Sequence, residues 1–182
     1  SGLSSDIDCF DTMEDPYRQL IVWDPEAKAI IGGYRFILGT DVRLDKDGQP
    51  VLATSHMFHF SEEFINRYLP HTVELGRSFV AREYQSSKAG AKGLFALDNL
   101  WDGLGAIMIQ HSQVSYFFGK MTIYPSYDRT ARDMIYYFLD KHFPDPDKLV
   151  MPREPVHIRT DARLLSLILN SDDLREDYRK LK

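Results

Sequence analysis

The sequence is poor in cysteine and has no long hydrophobic run. Cys9 is the one cysteine among 182 residues, so an intrachain disulfide is excluded, and with it a small fold stapled by disulfides. Cys9 lies in a polar, acidic stretch, which argues against a role as a nucleophile. No run of 18 apolar residues predicts a transmembrane helix, and no signal peptide is recognisable. We therefore expect a cytoplasmic protein.

Positive charge is also scarce. There are 22 Lys and Arg residues against 27 Asp and Glu, a net charge of −5, so the chain as a whole repels nucleic acid. A site for an anion has to arise from local clustering of basic residues. Six histidines are present, but neither a cysteine cluster nor a His-Glu-x-x-His motif accompanies them, so no metal site is predicted. The apolar fraction of 43% is that of a globular chain.

The first half of the chain alternates strand and turn signals. We predict a strand from Gln19 to Trp23 and a hairpin partner from Ala29 to Leu38, joined by a turn at 24–28. Gly32 and Gly33 predict a bulge or a close backbone approach. Three further elements are predicted before residue 81: a loop over 45–50, a short helix over 62–68 capped by Ser61 and ended by Pro70, and a strand over 72–80 broken at Gly76.

The second half mixes helices with strands. The pattern predicts a loop over 82–93, a helix from about Leu94 and a strand over 114–124 that is interrupted at Gly119. A helix capped by Asp128 follows, with an apolar stripe through Leu139, and then a strand over 156–158. The last predicted elements are a helix from Thr160 or Asp161 to Leu169 and a further helix from Ser171. A hairpin followed by a crossover is typical of a mixed α/β (α+β) fold. We expect one domain over 1–182, with its core at about 6–158 and a helical C-terminal segment over 160–182.

A basic, glycine-bearing loop before a helix is the clearest candidate for an anion site. Lys88, Gly90, Lys92 and Gly93 precede the predicted helix, and Arg82 lies just upstream. Glycines let backbone N–H groups converge, the helix dipole favours negative charge, and the lysines add point charges. These five residues are therefore predicted to bind the phosphates of a donor molecule. The alternative is an ordinary basic turn exposed to solvent.

Several ordered motifs carry a resemblance to a known family. They are Glu-Leu-Gly-Arg-Ser-Phe-Val at 74–80, Leu-Trp at 100–101, Phe-Gly at 118–119, Ile-Gly-Gly-Tyr-Arg at 31–35 and Asp-Ile-Asp-Cys-Phe-Asp at 6–11. In their order along the chain they resemble the GNAT-superfamily acyltransferases that include bacterial ornithine-lipid and glycine-lipid N-acyltransferases, many of them labelled "hemolysin-like". The Glu-x-x-Arg strand is also similar to acyl-homoserine-lactone synthases, which take acyl chains from acyl carrier protein.

The resemblance implies a GNAT-like twisted mixed sheet flanked by helices, and an N-acyltransferase. The implied donor is a long acyl chain on acyl carrier protein or coenzyme A, without a permanently bound cofactor, and the implied acceptor is the amine of an amino acid. The run Lys88 to Gly93 departs from the usual acetyl-CoA loop, which favours the carrier protein. Family members have further elements beyond both ends of this chain, so we expect a part of a longer protein. A lipid product implies peripheral membrane contact.

The chemistry of amine acylation suggests roles for the matching residues. Glu74 can take the proton of the amine, Arg77 can hold Glu74 or orient a substrate carboxylate, and Ser78 can protonate the leaving thiolate. Each also has a structural interpretation, such as an ion pair between Glu74 and Arg77. His59 and Arg35 are predicted substrate contacts. Other functions stay open: an acetyl-CoA-dependent N-acetyltransferase, an acyl-homoserine-lactone synthase, or a non-catalytic domain that binds an acyl carrier or lipid.

Overall fold

The structure is a computed structural model that describes residues 16–85 and 91–182, with the backbone alone for 91–97. It divides the chain into two compact units, the first ending at Lys120 and the second running from Met121 to Lys182. The strands are β1 (Arg18–Asp24), β2 (Ala29–Leu38), β3 (Phe58–Phe60), β4 (Thr72–Val80), β5 (Tyr116–Gly119) and β6 (Val150–Pro152). The α-helices are α1 (Ala91–Gln110), α2 (Arg129–His142), α3 (Ala162–Ile168) and α4 (Leu174–Lys180).

A four-stranded sheet organises the first unit, in the order β1-β2-β4-β5. The β1–β2 and β2–β4 pairs are antiparallel, whereas β4 and β5 are parallel. Parallel neighbours need a crossover connection, and α1 lies in the segment that joins them. The predicted mixed α/β fold, with a twisted mixed sheet and flanking helices, is confirmed.

The predicted hairpin and its glycines are confirmed. Asp24 begins the turn, since its Oδ1 accepts hydrogen bonds from the N–H groups of Glu26 and Ala27 at 2.9 and 3.0 Å. A Cβ at Gly33 would lie 2.7 Å from the carbonyl oxygen of Leu20, so the backbones approach closely there. The pairing of β2 with β4 also shifts register between Gly33 and Arg35, which places a bulge beside these glycines.

Helix α1 covers one face of the sheet and forms the core with it. The buried cluster comprises Phe36, Leu38, Val73, Leu104, Ile107 and Val114. Side chains alternate between the faces of a strand, so Val73 points toward α1 and Glu74 points to the opposite face. Arg35 lies on that opposite face as well, because its neighbour Phe36 belongs to the core cluster. The sheet face that packs against α1 is thus apolar, and the opposite face carries the polar side chains of Arg35 and Glu74.

Several predicted boundaries in the first unit were wrong. Helix α1 begins at Ala91, so Lys92 and Gly93 lie in its first turn and not in a loop over 82–93. Strand β4 is continuous through Gly76 because its bulge absorbs the irregularity without ending the pairing with β2. Strand β5 spans 116–119, far short of 114–124. Ser61 does cap the short helix, accepting from the Phe64 N–H at 3.0 Å, but a π-helix forms over 64–68.

In the second unit, helix caps were predicted well and one strand was not. Asp128 caps α2 and Asp161 caps α3, each accepting a backbone N–H hydrogen bond at 2.9 and 2.7 Å. Helix α4 begins after Asp173, which caps it, and not at Ser171. Residues 156–158 are not a strand, and the extended segment β6 lies earlier, at 150–152. The chain after 158 is instead held by hydrogen bonds from the backbone N–H groups of Arg159 and Thr160 to Asp133. Leu139 is exposed and leaves the predicted apolar stripe.

Residues 16–85 and 91–182 contain neither a candidate membrane-spanning helix nor a candidate metal site. Within that part of the chain, no helix combines the length and apolar character needed to cross a membrane. The same residues contain no group of three or more His, Cys, Asp or Glu side chains arranged to hold a metal ion.

Candidate active site

Glu74 is a buried carboxylate at the centre of the sheet. It lies on β4, only 3% exposed, opposite Ile37 of β2 and Phe118 of β5. The neighbouring Val73 is fully buried in the core on the α1 face. Strand alternation therefore directs Glu74 to the face that α1 leaves uncovered. A carboxylate at such a position is costly unless hydrogen bonds satisfy it.

Both oxygens of Glu74 accept hydrogen bonds. The Tyr17 hydroxyl donates to Oε2. The Thr54 hydroxyl donates to Oε1 at 2.5 Å, and the Thr54 backbone N–H approaches the same oxygen at 3.3 Å. These donors come from the segment before β1 and from the loop between β2 and β3, so the network ties two distant segments to β4. The carboxylate is held in one orientation.

Tyr17 is itself fixed by its surroundings. The Ala53 N–H donates to its hydroxyl at 2.8 Å, and the guanidinium carbon of Arg35 lies 4.7 Å from its ring centroid. Burial raises the pKa of Tyr17 well above its ordinary value, and the charge of Glu74 and the hydrogen bond to it raise this pKa further. Tyr17 therefore stays protonated at neutral pH and remains a donor to Glu74.

The sequence missed Tyr17 and Thr54 as parts of this site. Tyr17 is 57 residues from Glu74, and Thr54 is 20 residues away. Neither residue belongs to a motif or a periodic pattern, so the sequence carried no local signal for them. They can be found only from the tertiary structure, because the antiparallel pairing of β1, β2 and β4 brings these segments together.

The predicted site residues are placed in different settings. The structure brings Arg35, which is 3% exposed, to the Glu74 network through the Tyr17 ring. Arg77 and Ser78 are exposed at the bulge of β4, where they face the single residue Tyr34 of β2. Arg77 has a φ of 48°, a left-handed conformation that turns this part of the strand. His59 is exposed, and strand alternation separates it from the packed faces of Phe58 and Phe60.

An aromatic wall lies beside Glu74. Phe118, the β5 residue in register with Glu74, packs its ring against three other phenylalanines at centroid distances of 5.8 to 6.2 Å: Phe58, Phe60 and Phe64. The T-shaped and tilted geometries are those that aromatic pairs prefer. This side of the carboxylate is therefore rigid and apolar.

One edge of β4 is open beside the carboxylate. Strand β5 pairs only with the stretch from Thr72 to Leu75 and ends at Gly119. From Gly76 to Val80, β4 keeps its β2 partner, but no described strand pairs with its other edge. Unpaired N–H and C=O groups along such an edge can bind an extended ligand in the manner of an added strand. The arrangement combines an oriented carboxylate, an apolar wall and a polar edge.

The predicted phosphate-binding residues are only partly visible. Arg82 is exposed in a short 3₁₀-helix over 82–84. Lys88 and Gly90 lie outside the described residues, as does the 6–11 motif. The backbones of Lys92 and Gly93 belong to the first turn of α1, where free N–H groups and the helix dipole favour an anion. Their role stays a prediction.

The chain is similar to known protein sequences but matches no solved structure. Over its full length the chain is 62% identical to a glycine N(alpha)-acyltransferase of Bacteroides thetaiotaomicron, and 60% identical to a protein of the same description from Phocaeicola vulgatus. The aligned region is 54% of the first protein and 56% of the second, so the chain spans little more than half the length of these relatives.

The model of the acetyltransferase (GNAT) domain family matches residues 2–94. That match covers just over half of the chain and includes β1 through β4, with Glu74 on the last of these strands. The mixed sheet agrees with the fold that the motifs implied. The chain therefore belongs to the GNAT acetyltransferase family.

Proposed function

We propose that the protein containing this chain is a glycine N-acyltransferase, and that Glu74 receives the proton of the attacking amine. Two relatives at 62% and 60% identity carry this description. The observation that supports the residue assignment is the Glu74 network, in which Tyr17 and Thr54 hold both carboxylate oxygens. A carboxylate fixed in this way can accept a proton directly or through one water molecule.

Residues of this chain can serve both proton transfers of the proposed reaction. The neutral α-amine of glycine attacks the carbonyl carbon of a thioester, a C–N bond forms and the C–S bond breaks. The proton that the nitrogen loses passes to Glu74, and the leaving thiolate takes a proton for which Ser78 is the proposed donor; Glu74 then returns its proton to Ser78 through solvent, so both residues end in their starting states. Arg35 supplies positive charge beside the network for the glycine carboxylate. Arg77 and His59 remain proposed substrate contacts.

We assign the donor as a long-chain acyl group carried on acyl carrier protein. The open edge of β4 suits an extended phosphopantetheine arm, because such an arm has amide groups that can pair with backbone groups. The phenylalanine wall offers apolar surface next to the thioester. Arg82, Lys88, Gly90, Lys92 and Gly93 are the proposed binding site for the donor phosphate. The product is an N-acylglycine, an amphiphile whose release implies peripheral membrane contact and a place in lipid synthesis.

The test of the general base is Glu74→Gln in the full protein. Glutamine keeps the shape and removes the basicity, so kcat with glycine should fall by roughly 10²–10⁴, with a smaller change in KM. Thr54→Val is the matched control, because it removes a hydrogen bond to the same oxygen and leaves the carboxylate. We expect Thr54→Val to lose less of its kcat than Glu74→Gln, because the carboxylate and its hydrogen bond from the residue 54 N–H remain. A destabilised Glu74→Gln variant with full turnover per folded molecule would contradict the assignment.

The donor is tested by comparing turnover of acetyl-CoA with that of a palmitoyl thioester on acyl carrier protein, glycine being the acceptor in both. Faster transfer from the carrier thioester is expected. Faster transfer from acetyl-CoA would replace this donor assignment with that of an ordinary N-acetyltransferase. Absence of transfer from both donors would favour a non-catalytic binding domain.

A further inference from the structure

A cavity of about 330 Å³ lies within the second unit. One wall is formed by the first two turns of α2, which contribute Arg129, Arg132, Asp133 and Tyr136. Their spacing of three and four residues places all four on the same face of the helix. The volume is within the range of small-ligand pockets, roughly 300–1,000 Å³.

The opposite wall is the extended segment that contains Val156, His157 and Arg159. Asp133 fastens this segment to α2, since its Oδ2 accepts the Arg159 N–H at 3.1 Å, the Thr160 N–H at 2.9 Å and the Thr160 hydroxyl at 2.7 Å. The hydrogen bond from the Thr160 hydroxyl lowers the pKa of Asp133, and the two backbone N–H groups add to this effect against the opposing influence of burial. The carboxylate in the lining is therefore committed to holding the two walls together.

Three arginines line this cavity, and the charge of Arg132 contributes to the lowered pKa of Asp133. Arg129, Arg132 and Arg159 form no salt bridge within 4 Å among residues 16–85 and 91–182. The Nε of Arg132 is buried and has no hydrogen-bond acceptor in that part of the chain. A buried donor without an acceptor is costly and calls for a physical explanation.

The position of two of these arginines is also electrostatically unfavourable. Arg129 and Arg132 lie in the first turn of α2, where the helix dipole disfavours cations, and the one carboxylate at this helix end is that of the cap Asp128, which accepts the Ala131 N–H. The chain has a net charge of −5, so the cluster is a local exception to its overall charge. A bound anion would offset both the repulsion among the arginines and the unsatisfied Nε.

We propose that this cavity is a binding site for a phosphate ester. The lining has three guanidinium groups and one carboxylate, Asp133, which is already hydrogen-bonded. This charge suits a doubly charged phosphate better than a ligand with a single carboxylate. The planar fork of arginine pairs with phosphate oxygens through two parallel hydrogen bonds. Tyr136 and Val156 provide apolar surface for the organic part of the ester. The site lies wholly in the second unit and does not depend on the proposed acyl transfer.

The first experiment titrates the full protein with inorganic phosphate at constant ionic strength and follows backbone amide shifts by NMR. Shift changes are expected at 129–136 and 156–160, and acetate at the same ionic strength should bind more weakly. The double variant Arg129→Gln/Arg159→Gln should weaken phosphate binding about tenfold or more. The double variant Arg175→Gln/Arg179→Gln, which removes the same charge from exposed positions on α4, should bind phosphate normally.

A second arm identifies the source of the phosphate. Binding to phosphatidylcholine vesicles is compared with binding to the same vesicles containing phosphatidic acid, for the wild type and both double variants. Vesicle binding that depends on Arg129 and Arg159 indicates a lipid headgroup, and phosphate binding without vesicle binding indicates a soluble phosphate ester. Shift changes confined to other regions, equal weakening in both double variants, equal binding of acetate, or no phosphate binding would each overturn the proposal.

Discussion

Gly39 is the position where the structure makes its sharpest prediction about stability. It begins the short helix over 39–41 that follows β2. A Cβ built on Gly39 would lie 1.6 Å from the carbonyl oxygen of Leu69 and 2.9 Å from that of Thr72. Ordinary contacts of this kind are 3.4 Å or longer, so Gly39→Ala requires a large backbone displacement. The Leu69 oxygen resists displacement because it accepts the Thr72 N–H at the start of β4.

The expected cost follows from this geometry. Overpacking a well-packed core by added methyl groups costs about 1–3 kcal/mol, and we expect the upper end because the obstacle is backbone. Gly105→Ala is the matched control, since Gly105 lies inside α1 and a Cβ there meets nothing within 4 Å. Alanine in a helix interior gains about 0.5–1 kcal/mol over glycine. The same chemical change should therefore destabilise at one position and stabilise at the other.

Urea unfolding of the full protein and its two alanine variants measures both effects. We expect the free energies of unfolding of the variants to differ by about 1.5–4 kcal/mol, with the m-value unchanged. A Gly39→Ala variant as stable as the wild type would refute the contact between residue 39 and Leu69. Equal destabilisation by both substitutions would show that the loss of glycine, and not the local geometry, is responsible.

Three further predictions concern charged and hydrogen-bonded groups. Tyr17→Phe should destabilise the protein by about 1–3 kcal/mol in urea unfolding, because it removes a donor to Glu74 and the acceptor of the Ala53 N–H. Reversing the charges of Lys88 and Lys92 should weaken binding of the acyl donor steeply at low salt, and unchanged affinity in a direct titration would refute their role. Asp177, fully buried, has its pKa raised by burial but lowered overall by hydrogen bonds from Lys141, His142, Ser171 and Lys180. Its stabilising contribution is thus complete above the unfolded pKa of about 4 and is lost as the pH falls from there through the lower folded pKa. Asp177→Asn should therefore lower the free energy of unfolding at pH 7, and this free energy should fall less steeply with acid than in the wild type.

Local signals explain which parts of the fold could be predicted. Asp128 was recognised as a helix cap, and Asp161 as one of two candidates with Thr160, because a cap depends on residues two or three positions away. The strand over 72–80 was predicted with the bounds it has in the structure. By contrast, the start of α1 was placed too late because Gly93 is a poor helix former, and its cost of about 1 kcal/mol is smaller than what the rest of a 20-residue helix contributes.

The candidate site was predictable from the sequence only at Glu74 and Arg35, which belong to motifs. Glu74 stood out because it belongs to a motif on a strand with clear bounds. Its partners Tyr17 and Thr54 lie outside any motif, and the pairing of three strands brings them to the carboxylate. The arginine-lined cavity was missed for the same reason, since hydrogen bonds join Asp133 on α2 to Arg159 and Thr160, which are 26 and 27 residues away. Composition suggested that anion sites need local clustering, but not where that cluster would form.

The two faces of β4 separate stability from chemistry. Val73 is fully buried against α1 and contributes to the core, whereas Glu74, the next residue, carries the polar network on the other face. Shortening Val73 to alanine leaves a cavity in the core but does not touch the hydrogen bonds to the carboxylate, so its cost should appear in the free energy of unfolding. Removing the charge of Glu74 acts on the other face, where the proposed proton transfer takes place. Because one residue of register would exchange the two faces, the pairing of β4 with β2 and β5 that sets this register is as important to the site as Glu74 itself.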